Sequence, residues 1–107
     1  MKPEEFGLTV EVEEITPEAA SNYLKNNAYH RKVKQKKVTE YMSTMVDGQW
    51  KLNGKVIIFD KNGRLLNGQH RLAAVAQSGV PLTTLVVRGV DPKVQETNEE
   101  NNAIIVE

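Results

Sequence analysis

Five consecutive residues carry most of the chemistry this sequence can offer: Asn67, Gly68, Gln69, His70 and Arg71 stand between the apolar pair Leu65-Leu66 and the run Leu72-Ala73-Ala74-Val75. An apolar strand stops at Asn-Gly and a helix starts there. In this reading Asn67 is the N-cap, its side-chain oxygen accepting a backbone N–H, and Gly68 just inside the first turn lets another group approach the backbone. The N–H groups and the positive end of the helix dipole then face one point, which Gln69, His70 and Arg71 surround with donors. That arrangement suits an anion such as phosphate. Arg71 is the strongest single candidate, because its planar fork can pair bidentately with phosphate oxygens. An unperturbed imidazole titrates near neutrality, so His70 and Arg71 are also the candidate catalytic residues. The plainer alternative is an Asn-capped surface helix in which Arg71 is a structural ion pair or a carbonyl clamp.

A second charged feature precedes these residues. Arg31, Lys32, Lys34, Lys36 and Lys37 form a basic stretch that can contact nucleic acid or hold the outer phosphates of a nucleotide above Gly68. Lys and Arg total 14, as do Asp and Glu, and aromatics are 6% of the chain. A nucleic-acid module usually shows net positive charge or exposed aromatics, so a basic wall for the Gly68 site is preferred over a separate DNA patch. The chain has no cysteine and two histidines, His30 and His70, with no ligand spacing between them. No metal site is expected. Asp47, Asp60 and Asp91 all fall at turns, where local capping is the expected role.

The stretch Gly68-Gln69-His70-Arg71-Leu72-Ala73-Ala74 resembles the Gly-x-x-Arg-x-x-Ala motif of the ParB N-terminal and sulfiredoxin-like superfamily, and more closely its DGQHR-type members from phages and bacteria. The resemblance runs from about residue 16 to residue 92. It takes in Asp47-Gly48-Gln49-Trp50, Ile57-Ile58-Phe59-Asp60 and Val86-Val87-Arg88-Gly89-Val90-Asp91-Pro92. It implies a small α/β (α+β) fold in which the motif begins a helix that cradles nucleotide phosphates. Asn67, Gly68, Gln69, His70 and Arg71 are then the nucleotide-binding residues, with a nucleoside triphosphate and Mg2+ as the implied cofactor. Two departures stand out. Asn67 replaces the Asp of many DGQHR-type relatives, and Gln69 stands where sulfiredoxins have their catalytic Cys. An amide cannot act as a carboxylate base and is a poorer ligand for a hard cation, which weakens a metal-dependent nuclease reading.

Two function classes follow. One is a nucleotide- or phosphate-binding domain in a DNA-related or regulatory process, which as an enzyme would be a nucleotide hydrolase, phosphotransferase or nuclease. The other is a non-catalytic phage-type accessory protein that binds DNA or a host protein, for example an inhibitor of a host defence complex of the anti-CRISPR kind. The sequence leaves the oligomeric state open. No apolar run reaches the length of a membrane span and Met1-Lys2-Pro3-Glu4-Glu5 lacks a signal-peptide core, so a cytoplasmic protein of a bacterial or phage-infected cell with no membrane partner is expected.

At 107 residues, 39% hydrophobic and 26% charged, the chain has the make-up of one globular domain spanning 1–107 with one modest core. Residues 8–15 alternate as an edge strand with Leu8, Val10 and Val12 inward and the glutamates outward. Thr16 caps and Pro17 opens a helix to about Asn26 that buries Ala19, Ala20, Tyr23 and Leu24. Residues 29–37 read as a loop. Val38, Tyr41, Met42, Met45 and Val46 then repeat at helical spacing, with Gly48 as terminator and the two methionines against the sheet. Trp50 and Leu52 are expected to cover that helix end. Val56 to Phe59 is a strand, Asp60 to Gly63 a hairpin turn and Arg64 to Leu66 the return. The motif helix runs from about Gly68 to Gln77 and buries Leu72, Val75 and Ala76. Leu82 to Val87 is a strand, Asp91-Pro92 opens a polar helix, and Ala103-Ile104-Ile105-Val106 is a candidate terminal strand. The sum is a single small mixed sheet covered by helices.

Overall fold

The computed structural model describes residues 1–27, 32–52 and 55–92. A 3-10 turn at Pro3–Phe6 leads into β1 (Thr9–Ile15) and α1 (Pro17–Lys25), followed by α2 (Gln35–Val46) and β2 (Val56–Asp60). Then come β3 (Leu65–Asn67), α3 (Gln69–Ser78) and β4 (Leu82–Val90). The four strands form one mixed sheet in the order β1-β4-β2-β3. Central β4 is antiparallel to β1 and parallel to β2. The α+β class read from the sequence is the class observed. His30, Arg31, the polar helix beyond Pro92 and the segment Ala103 to Val106 lie outside the described residues.

The helices begin and end where local chemistry dictates. Thr16 accepts the Ala19 N–H at 3.2 Å and Pro17 takes the first helical position of α1. Gly79, at φ 76°, ends α3 by returning its N–H to the Val75 carbonyl. Helix α3 is the centre of the fold, because both α1 and α2 pack against it. Every residue from Gln69 to Val75 is therefore buried, not only the stripe of Leu72, Val75 and Ala76. Ala20, Val38, Met45, Leu72 and Val75 close the core against Ile57, Phe59, Leu82 and Val86.

Three expectations need correction. The inward face of β1 is reversed: Val10 and Val12 are 46% and 57% exposed, while Ile15 is fully buried. Ile15 is fixed in the core by the helix that starts immediately after it, and side chains alternate along a strand, so counting back turns Glu13 inward and Val12 outward. Helix α2 begins at Gln35, not Val38; it packs chiefly on α3, and Met45, with Met42 beside it, joins the core cluster that holds Ile57 and Phe59 of the sheet, as expected. Trp50 covers the helix end as expected, edge-on to Tyr41 at 5.4 Å, but Leu52 is exposed, as is Val46.

Candidate functional site

Asn67 is the last residue of β3, and Gly68, not Asn67, is the N-cap of α3. Strand pairing with Ile58 holds Asn67 extended, and its amide donates to the Val56 carbonyl at 3.5 Å instead of capping the helix. Gly68 has φ 113°, a conformation that side chains rarely adopt. A Cβ at Gly68 would also overlap the Ile57 side chain. The glycine is thus required by the sheet beneath it, where the sequence had placed an approaching ligand.

The first turn of α3 is deeply set. Gln69 is 1% exposed and Arg71 1%. The Arg71 guanidinium donates from Nη2 to the Val56 carbonyl at 2.9 Å, so the carbonyl-clamp role is realised. Gln69 donates through Nε2 to Asn27 Oδ1 and to the Leu66 carbonyl. The side-chain oxygens of Asn67 and Gln69 are buried without a hydrogen-bond partner. Buried acceptors in that condition are uncommon in folded proteins, and two occur on either side of one glycine.

Lys34 joins the basic stretch to this turn. It is the N-cap of α2, and its backbone N–H donates to His70 Nε2 at 3.0 Å. The starts of α2 and α3 are therefore one imidazole apart. Neither has a side-chain cap and neither has an acidic residue in its first turn. Lys36 and Lys37 occupy the first turn of α2, where the dipole disfavours cations. Lys32, Lys34 and Lys36 are exposed, and Lys37 lies 5.8 Å over the Tyr41 ring. The same bond constrains His70 as a base: the Nε2 lone pair that would take a proton is engaged by α2.

A second polar cluster was not legible in the sequence. Glu13 accepts from Tyr23 Oη at 2.6 Å and from Arg88 Nη1 at 3.0 Å, and Arg88 Nη2 donates to Tyr23 Oη at 3.1 Å. Phe59 floors the cluster, 4.8 Å from the Tyr23 ring and 5.0 Å from the Arg88 guanidinium. Burial pushes the Glu13 carboxyl up, but hydrogen bonds from Arg88 and Tyr23 and the Arg88 charge outweigh it and hold the group below its ordinary value. The Tyr23 phenol is raised, first by burial and then by its bond to the Glu13 carboxylate. The partners lie far apart in the chain, and only Glu13's unexpected inward turn brings them together. Asp60 has the local role expected of it: its Oδ1 accepts the Asn62 and Arg64 N–H groups at 2.8 Å each, and Oδ2 accepts Arg64 Nε at 2.8 Å.

Among the described residues, clefts away from the α2–α3 junction include one of about 400 Å³ beside Met45, Trp50 and Leu82 and one of about 390 Å³ beside Arg88 and Lys61. Among the described residues no group of three or more His, Cys, Asp and Glu could hold a metal ion. No helix among them is long and apolar enough to cross a membrane. Comparison of the chain with protein-family models, with curated proteins and with solved structures finds no match.

Proposed function

We propose that this protein binds a phosphate-bearing anion, in the first instance a nucleotide, where the starts of α2 and α3 meet. The observation that carries the reading is the convergence of two uncapped helix N-termini, joined through Lys34 and His70, with no acidic residue in either first turn. Two dipole ends of the same sign and the side chains of Lys32, Lys34 and Lys36 raise the local positive potential, which an anion relieves. The resemblance of Gly68-Gln69-His70-Arg71-Leu72-Ala73-Ala74 to the ParB-like motif supports the same place, with Asn67 to Arg71 as the binding residues. In this reading a nucleoside triphosphate with Mg2+ is the ligand and a DNA-related or regulatory process its setting.

The test is titration with ATP, CTP, GTP and inorganic phosphate, with and without magnesium. Neutralising Lys34 and Lys36 to Gln should weaken binding at least tenfold and flatten its salt dependence. Arg71→Ala should weaken it by roughly 1.5–3 kcal/mol, the range for a hydrogen bond to a charged group. Absence of binding at millimolar concentration would remove the proposal.

A second reading is favoured by one observation. The side chains of Gln69, His70 and Arg71 already bond to Asn27, Leu66, Lys34 and Val56 within the fold. A first turn so engaged also suits an accessory protein that keeps the motif for architecture and acts by binding DNA or a host protein. Binding of DNA that survives Arg71→Lys but not loss of the lysines would select it.

A further inference from the structure

The sheet has two faces, and the described helices cover one of them. Buried residues of α1, α2 and α3 all meet Ile57, Phe59, Leu82 and Val86. On the opposite face the register sets Val12, Leu85 and Val56 in one row and Val10, Val87 and Ile58 in the next. None of these six aliphatic residues belongs to the core cluster or packs against it. Val10 and Val12, on the edge strand, are the most open of them. A contiguous apolar patch on one sheet face is a surface on which a further apolar segment can be buried.

Size selects the occupant. With strands about 4.8 Å apart and same-face residues about 6.8 Å apart along each strand, three strands by two rows span roughly 200 Å². A stable contact between two proteins buries about 800 Å² on each partner, so a second copy meeting here alone falls well short. One short apolar segment fits. The chain supplies one: after Pro92, residues 93–102 are polar apart from Val94, and Ala103-Ile104-Ile105-Val106 follows. Strand β4 carries Leu85 and Val87 at the middle of the patch and ends at Val90, two residues before Pro92. Ten residues span about 15 Å as the polar helix the sequence suggests and up to about 33 Å extended, and either reaches back over the last residues of β4. The ladder has ended before Pro92: Asp91 lies outside the strand and Pro92 is already helical.

We propose that Ala103-Ile104-Ile105-Val106 docks on the open sheet face formed by Val10, Val12, Val56, Ile58, Leu85 and Val87. The chain contains no cysteine, so introduced pairs report without interference. In the full chain at low micromolar concentration, V12C paired with I104C or with I105C is mildly oxidised, and V46C paired with I105C is the control on exposed α2. One of the two Val12 pairs should close within the monomer while the control stays open. In parallel, Ile104→Asp with Ile105→Asp should raise binding of a hydrophobic dye several-fold and speed amide exchange in residues 10–14, with far-UV dichroism and Trp50 fluorescence unchanged. Cross-links that form only between chains would overturn the proposal in favour of a second copy. No cross-link together with unchanged dye binding would overturn it in favour of a different partner.

Discussion

At the start of α1, Thr16 accepts the Ala19 N–H, Pro17 removes a donor that has no intrahelical acceptor, and Glu18 complements the dipole. At the start of α3 none of these devices is present: the N-cap is a glycine at φ 113°, no side chain caps, and the first turn carries no acid. Helix α2 shares the second pattern and adds Lys36 and Lys37. The difference separates stability from availability. A helix start that satisfies itself has nothing to offer a ligand, whereas one left uncapped and buried beside cations is less stable alone and gains from an anion.

The largest way to break this comparison is at Gly68. Gly68→Ala combines an unfavourable φ with overlap on Ile57, and strain and overpacking together should cost about 2–5 kcal/mol. Denaturant unfolding measures it. An unchanged midpoint would show that the β3–α3 junction can relax and that the glycine is not what shapes it.

The contrast between the two helix starts was only half legible in the sequence. Thr16-Pro17-x-Ala19 is local chemistry, and α1 came out as read. Asn67-Gly68 looked like the same kind of signal, but pairing of Asn67 with Ile58 moved the cap by one residue. The α2 start was misplaced for a similar reason: nothing near Lys34 announces that His70, far along the chain, will accept its N–H. The four strands and the hairpin turn at Asp60 were legible because alternation, β-branching and Asn62-Gly63 act over a few residues. The inward turn of Glu13 was not, because strand phase is set by Ile15 and by an arginine on another strand.

The complementary break is at α1. Thr16→Ala should cost about 1 kcal/mol through the lost cap, and it should leave anion binding unchanged, since α1 offers no site. A weakened anion response in this variant would mean that the two helix starts are coupled through α3, against which α1 packs.

The Glu13–Tyr23–Arg88 cluster tests the comparison through pH. Glu13 is held below its ordinary value in the fold, so the stability it contributes is present above the unfolded carboxylate value and is lost as pH falls through the folded one. Tyr23 is raised, so its contribution is present below the unfolded phenol value and fades as pH rises toward the folded one. Arg88→Met should therefore destabilise the fold most near neutrality and flatten the acid limb of a stability-versus-pH profile, the gap to the parent protein shrinking as pH falls. Because this cluster is far from the α2–α3 junction in its contacts, phosphate should stabilise the variant as much as the parent protein.

The smallest expected effect is the sharpest discriminator. Lys36→Glu places an acid in the first turn of α2, where the dipole now faces lysines, and Lys36 is exposed, so packing is not disturbed. A favourable charge at a helix N-terminus is worth about 0.3–1 kcal/mol at low salt. The variant should unfold at slightly higher denaturant while responding less to phosphate or nucleotide. A bound ligand at a hundredfold its Kd adds about 2.7 kcal/mol, so the loss of that increment is far easier to read than the gain from the acid. Stability and binding moving in opposite directions is the signature of a helix start kept uncapped for an anion. If Lys36→Glu instead stabilises the fold and leaves the anion response intact, the uncapped starts of α2 and α3 are an architectural consequence of Gly68 and His70, and the basic stretch serves another partner.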